Sequence, residues 1–115
     1  MPDSVRVRPP DPVAFIRDRV RAGEVVWTYH VTMRLRGRFI PRTAILDAVE
    51  SYELLEDYPE DKYLPSYLIL AQSSDEAFHV LFAADVPGQN VRVVTAYRPS
   101  LDEWEPDLRH RRRAP

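Results

Sequence analysis

Residues 67–97 read YLILAQSSDEAFHVLFAADVPGQNVRVVTAY, and this stretch decides the fold. It contains three apolar runs, at Tyr67–Ala71, Phe78–Ala84 and Val91–Tyr97, and each is bounded by turn-forming residues. Short connections of this kind favour antiparallel neighbours. We therefore predict a meander of three antiparallel strands, which Leu54–Tyr58 would extend as a fourth strand at the edge.

Helix signals precede the meander, because capping residues and proline stand before stretches with apolar residues at helical spacing. They predict three helices, one from Asp11-Pro12 to Gly23, one from Thr28 to about Gly37, and one opening at Ile40-Pro41. The run Glu24–Trp27 between the first two is short and β-prone. The whole pattern predicts an α+β fold, with N-terminal helices packed on a sheet of three or four antiparallel strands.

The chain has 115 residues, the size of one domain. We expect a loose proline-containing arm over residues 1–10, a globular domain over residues 11–107 that closes with a helical turn at Pro99–Glu105, and a frayed basic tail over residues 108–115. Hydrophobic residues make up 44% of the chain and charged residues 30%, a balance that excludes wholesale disorder. No run approaches the roughly 20 apolar residues that span a bilayer, and no apolar signal segment opens the chain. We therefore expect a cytoplasmic protein without membrane contact.

Charge is distributed unevenly behind a net value of −2. Residues 1–49 hold nine arginines against five acidic residues, residues 50–107 are acidic, and residues 108–115 hold four arginines and no acid. Such asymmetry places a basic surface beside an acidic one, and a phosphate polymer prefers the basic side. Ordinary solvated faces would give the same pattern.

The second predicted helix carries the most suggestive polar residues. At helical spacing His30, Arg34 and Arg38 form one ridge, at the margin of an apolar ridge made by Val31, Leu35 and Phe39. Guanidiniums bind phosphate oxygens in bidentate fashion. If Thr28 caps the helix, His30 lies in its first turn, where the positive helix end disfavours a protonated ring, and a neutral imidazole is what a general base needs. A plain amphipathic surface is the alternative interpretation.

Two later residues extend this set. His79 interrupts the most apolar strand, on the face opposite Phe78 and Val80, where it is either a structural donor or a second imidazole for proton transfer. Tyr97 ends the last strand and either anchors the sheet or offers a proton, and Arg98 beside it offers a charge.

Four stretches in the same order resemble a bacterial family known as domain of unknown function 4258. They are the segment His30-x3-Arg34-Leu35-x2-Arg38-x-Ile40, the turn and strand from Glu56 to Leu70, the strand Phe78-His79-Val80, and Thr95-Ala96-Tyr97-Arg98-Pro99 with Trp104. Val31 and Phe39 depart from the usual residues of the first motif, and the similarity covers about residues 25–112.

That family is similar to the small RelE-like and BrnT-like ribonuclease toxins. The resemblance implies their helix-plus-antiparallel-sheet fold, an RNA-cleaving activity, and a cognate antitoxin of the zinc-ribbon or helix-turn-helix type. It makes His30, Arg34, Arg38, His79 and Tyr97 the candidate catalytic residues.

The leading hypothesis is a metal-independent endoribonuclease in which the RNA 2′-hydroxyl attacks the adjacent phosphorus. His30 or His79 would accept the proton, Arg34 and Arg38 would hold the phosphoryl oxygens, and Tyr97 or the other histidine would protonate the leaving oxygen. Arg36 and Arg98 are assigned to substrate binding.

A non-catalytic RNA- or protein-binding module of the same fold is the alternative, and a small-molecule enzyme has no motif behind it. The chain lacks cysteine, has three scattered histidines and has no glycine-rich phosphate loop. We therefore expect no metal and no other cofactor.

Overall fold

The computed structural model describes residues 7–73 and 75–113. The elements in chain order are α1 (Pro12–Arg21), β1 (Val25–Trp27), α2 (Tyr29–Gly37), α3 (Arg42–Asp47), a 3₁₀ turn (Val49–Ser51), β2 (Glu53–Tyr58), β3 (Ser66–Gln72), β4 (Ala77–Asp85) and β5 (Asn90–Tyr97). The class is α+β, as predicted.

One five-stranded mixed sheet, in the order β1-β5-β4-β3-β2, forms the centre of the fold. The antiparallel meander of β3, β4 and β5 is confirmed, and so is the edge strand β2. The prediction of three or four antiparallel strands was wrong in one respect, because β1 adds a fifth strand that pairs with β5 in parallel, from Val25 opposite Val91 to Trp27 opposite Val93. A three-residue strand carries no sequence signal for its partner or its direction.

Both predicted helix caps are present. The Asp11 carboxylate accepts a hydrogen bond from the Ala14 amide at 3.1 Å, and the Thr28 hydroxyl accepts one from the Val31 amide at 3.1 Å. These bonds satisfy amides that the first helical turn leaves without partners. They fix where α1 and α2 begin, and thus how each helix meets the sheet.

The two faces of the sheet are covered differently. On the helix face, Phe78, Val80 and Phe82 pack with apolar residues of all three helices in a single core. Alternate residues of β4, His79 and Leu81 among them, lie on the opposite face, which we call the second face. The second face is covered by residues 98–113, which we call the C-terminal segment, instead of by helices.

The C-terminal segment packs on the fold, where fraying was expected. The Trp104 amide donates to the Ser100 carbonyl at 2.9 Å in a turn, and Trp104 then forms an isolated antiparallel bridge with Arg111. Arg109 pairs with Glu53 at 2.7 Å, and Arg111 pairs with Glu56 at 2.8 Å. The expectation of a loose tail failed because it considered the arginines without the carboxylates that β2 presents to them.

The other end of the chain is described only in part. Residues 1–6 of the predicted arm, and residues 114–115 of the predicted tail, lie outside the described residues. Within the arm, Arg8 pairs with Glu60 at 2.7 Å. No helix among the described residues is long and apolar enough to cross a membrane.

Candidate nucleic-acid interface

Helix α2 lies along the edge of β5. Strand β1 pairs only with Val91–Val93, so the rest of that edge is open to another element. Arg38, which caps the end of α2, donates from Nη1 to the Ala96 carbonyl at 2.6 Å and to the Thr95 hydroxyl at 3.3 Å. At the other end of α2, Thr28 lines a cavity with Ala83 on the second face. Both ends of the helix therefore border the second face.

The polar ridge of α2 is more exposed than predicted. His30, Arg34 and Arg38 are all solvent-exposed, whereas Val31 and Leu35 are buried as expected. Within the described residues, the side chains of His30 and Arg34 form no hydrogen bond or ion pair. The ring of His30 contacts that of Tyr29, with centroids 6.4 Å apart. These groups are free to meet a ligand from solvent.

Arg36 and Arg42 extend the basic character around the exposed side of α2. The Arg36 side chain is exposed and has no ion-pair or hydrogen-bond partner within the described residues. Arg42 donates to the Thr32 hydroxyl at 2.6 Å and lies 4.8 Å from the centre of the Trp27 ring. The term α2 basic surface is used below for the five residues His30, Arg34, Arg36, Arg38 and Arg42.

Phe39 differs from its predicted place on the apolar ridge. The helix ends at Gly37, and a φ of 56° at Phe39 turns the chain so that its side chain is 83% exposed. It lines an open cavity of about 460 Å³ together with Arg36, Arg42 and Ile40. The Phe39 ring is therefore outside the core and open to contact from solvent, beside the guanidiniums of Arg36 and Arg42.

The surroundings explain why the α2 basic surface is distinctive. Residues 25–46 contain no aspartate or glutamate, and no arginine of this stretch pairs with a carboxylate of the described residues. The C-terminal half contrasts with it, because most of its arginines do pair with acids: Arg92, Arg98, Arg109, Arg111 and Arg112. The positive potential of the molecule is therefore concentrated at α2.

His79 is fully buried on the second face, at 0% exposure. Its Nε2 lies 2.8 Å from the Leu108 carbonyl, which only accepts, so Nε2 carries the proton and Nδ1 accepts from the Tyr97 hydroxyl at 3.3 Å. The Trp104 ring meets the imidazole edge-on at 4.3 Å. Burial lowers the pKa of His79, so the ring is neutral at neutral pH. This is the structural donor that the sequence allowed as one alternative.

Tyr97 is only partly buried, and part of its side chain faces a cavity. It lines a cavity of about 300 Å³ on the second face with Arg111 and Thr95, while its hydroxyl bonds to His79. Burial is the main cause that raises the pKa of Tyr97. The phenol is therefore protonated at neutral pH, when it acts as a donor.

The Arg98 side chain is held by contacts within the protein. Its guanidinium donates to the carbonyls of Arg38 at 2.6 Å and Phe39 at 3.0 Å, and it pairs with Glu76 at 3.1 Å. It also lies 5.4 Å from the centre of the Phe78 ring. Arg98 thus holds the end of α2 against the sheet.

The predicted residues fall into two groups. Arg38, His79 and Tyr97 lie around the end of β5, linked through Thr95 and the His79–Tyr97 bond. His30 lies in the first turn of α2, about 12 Å before Arg38 along the helix axis. Within the described residues, no hydrogen bond or ring contact joins His30 to His79. The two imidazoles do not form a common centre.

Sequence reasoning missed several residues of this region. Arg42 was detectable from the acid-free stretch, since that stretch extends past the motif that ends at Ile40. Arg111 and Asp61 gave no local signal, because their positions depend on contacts between distant segments. Among residues 7–73 and 75–113, no group of three or more histidine and acidic side chains is placed to bind a metal ion.

Comparisons with known proteins agree with the motif of α2. No curated protein and no solved structure matches the chain. One family model matches residues 27–98, which is more than half of the chain and includes α2, the meander and both Arg38 and Tyr97. The chain therefore belongs to the family described as domain of unknown function DUF4258.

Proposed function

We propose that this protein is an RNA-binding module that contacts single-stranded RNA through the α2 basic surface. The observation that carries the proposal is the acid-free stretch of residues 25–46, in which Arg34 and Arg36 have no partner within the described residues. Unpaired guanidiniums bind phosphates without first giving up an ion pair.

The exposed rings favour single strands over duplexes. Tyr29 is 76% exposed and Phe39 is 83% exposed, one near each end of α2. Aromatic side chains stack on unpaired bases, which a duplex keeps inside its own stack. Cations interleaved with exposed aromatic rings are typical of surfaces that track a single strand.

Binding is proposed in place of cleavage by two histidines because of His79. A general base or acid must come within hydrogen-bond reach of the reacting atoms, and both ring nitrogens of His79 are engaged inside the fold. The likeness to RelE-like and BrnT-like toxins, the ribonuclease activity and the antitoxin partner stay predictions.

The test is fluorescence anisotropy with a labelled uridine octamer at low salt. We expect Arg34→Ala with Arg36→Ala to weaken binding about tenfold or more, because two phosphate contacts are lost. The matched control is Arg19→Ala with Arg113→Ala, which removes the same charge from two arginines outside the surface, the half-buried Arg19 of α1 and the exposed Arg113. Equal affinities of the two double variants would contradict the proposal.

The same samples test cleavage. Incubated with EDTA, the labelled octamer is expected to remain intact under the binding proposal. Products that end in a 2′,3′-cyclic phosphate would instead support a metal-independent ribonuclease that uses His30 and Tyr97. These are the two candidate proton-transfer residues whose side chains are not fully buried.

A further inference from the structure

A cavity of about 300 Å³ on the second face has a chemistry that the α2 basic surface does not explain. Its floor is formed by Leu68, Leu81 and Thr95 from three neighbouring strands. Tyr58 and Tyr97 contribute aromatic walls. The volume is at the lower limit of ordinary ligand pockets, which suits one flat ring system.

The cavity carries both a hydrogen-bond donor and an acceptor of fixed type. Arg111 is held by Glu56 through Nε at 2.8 Å and Nη2 at 3.2 Å, which leaves further N–H donors of the same fork. Asp61 provides a carboxylate, which only accepts. A ligand that fits must therefore present acceptors to the guanidinium and N–H donors to the carboxylate.

A phosphate does not meet this requirement. Glu56 pairs with Arg111 and neutralises it, and Asp61 lines the same cavity. A phosphate in the cavity would meet a neutralised arginine and the negative charge of Asp61, and would have no N–H to offer. The occupant expected here is a base, and the phosphates belong on the helix.

We infer that the cavity binds one guanine base of the RNA that the proposed function places on α2. Guanine presents O6 and N7 as acceptors, the pair that an arginine fork reads, and its N2 amino group is a donor for a carboxylate. Uracil lacks the fused ring that would fill the space between two tyrosines. Adenine presents an amino group where guanine presents O6.

The route from the helix to the cavity is short. Arg38 Nη1 lies 3.3 Å from the Thr95 hydroxyl, and Thr95 lines the cavity. A strand with a phosphate at Arg38 has an adjacent base over the end of β5. The inference rests on the proposed function only for this path from the helix, because every residue that lines the cavity belongs to this protein.

The experiment compares a uridine octamer with the same octamer carrying one central guanosine. We expect the guanosine to tighten binding about tenfold, because one good bidentate base contact discriminates by that order. Asp61→Asn replaces a carboxylate, which only accepts, by an amide that both donates and accepts, at an exposed site. This variant should remove the difference in affinity between the two octamers. Asp57→Asn is the matched control, because Asp57 is an exposed acid of β2 outside the cavity lining.

A second arm uses free nucleosides, so that no phosphate is present. Guanosine should shift the NMR amide signals of Thr95 and Tyr97, and adenosine and uridine should not. Octamers that bind equally, or guanosine that leaves these signals unchanged, would overturn the inference. If both octamers bind equally and their binding still depends on Arg34 and Arg36, the proposed function stands and the guanine site is excluded. If guanosine shifts the signals while neither octamer binds, the guanine site stands and the proposed function is excluded.

Discussion

His79 organises the second face from inside it. Its imidazole joins β4 to the C-terminal segment through the Leu108 carbonyl and to β5 through the Tyr97 hydroxyl. Trp104 completes the enclosure at 1% exposure. A buried ring with both nitrogens bonded contributes packing and satisfies a carbonyl that would otherwise lack a partner.

Replacing His79 with alanine is expected to lower the free energy of unfolding by about 2–4 kcal/mol. The substitution leaves a cavity under Trp104 and removes the donor to the Leu108 carbonyl. Urea denaturation followed by circular dichroism measures the loss. His30→Ala is the control, and its exposed position predicts a change of less than about 0.5 kcal/mol. Similar losses for the two variants would contradict the structural role of His79.

The free energy of unfolding should also decrease on acidification, over a pH range set by the pKa of His79. Burial lowers its pKa in the folded state from the usual 6.5, so below pH 6.5 the unfolded chain binds a proton that the folded protein does not. The free energy of unfolding is therefore expected to decrease as the pH falls from 6.5 toward the folded pKa. Denaturation at several pH values checks this, and His79→Ala should flatten that part of the curve. A curve of unchanged slope in His79→Ala would contradict the assignment.

At the scale of elements, the C-terminal segment substitutes for a helix layer. It neutralises β2 through Arg109 and Arg111 and stacks the guanidinium of Arg111 at 4.6 Å from the Trp104 ring centre. The hydrogen bond from Arg111 is the main cause that lowers the pKa of Glu56. The segment thus closes the second face and builds one wall of the base cavity.

Arg111→Ala is expected to destabilise the protein by about 1 kcal/mol, a modest value because water screens a partly exposed ion pair. The variant should also move the fluorescence of the buried Trp104 toward longer wavelength, since its cover is thinned. The matched control is Arg113→Ala, whose side chain has no partner within the described residues. If Arg111→Ala had the same fluorescence spectrum and stability as Arg113→Ala, the role of Arg111 in covering Trp104 would be contradicted.

The sequence predicted those elements whose signals are local. The caps at Asp11 and Thr28 and the turn-bounded runs of the meander each depend on residues a few positions apart. The parallel pairing of β1 and the docking of the C-terminal arginines depend on contacts between distant segments. For the site, the ridge of α2 was readable from spacing, but the burial of His79 depended on Trp104 and Leu108 covering it.

At the scale of the whole molecule, ion pairs separate the charge. Glu53 and Glu56 of β2 pair with arginines, and so do Glu76, Asp85 and Glu105 further along the chain. The arginines of residues 25–46 pair with no carboxylate of the described residues, so a chain of net charge −2 still presents a basic helix. RNA-binding proteins are usually basic overall, and in the proposal made here the basic helix takes the place of a positive net charge. Local unpaired charge, and not the net charge, determines where a polyanion binds.

The affinity for the uridine octamer should therefore depend on salt with a modest slope. If three or four phosphates are neutralised, the logarithm of the association constant falls against the logarithm of salt concentration with a slope of about −2 to −3 for a single strand. Anisotropy titrations at several salt concentrations measure it. Arg34→Ala with Arg36→Ala should reduce the slope by about one unit, and a slope near zero would show that the phosphates are not contacted.

The parallel pairing of β1 with β5 also governs how the protein matures during synthesis. The last strand of the meander supplies the only sheet edge on which β1 lies, so the N-terminal third leaves the ribosome long before its partner exists. Val31 and Leu35 stay uncovered during that interval, because the strands they pack on are still to be translated. The nascent chain thus carries its most basic helix unsupported until β5 has been synthesised, and its vulnerability to proteases should end when β5 emerges.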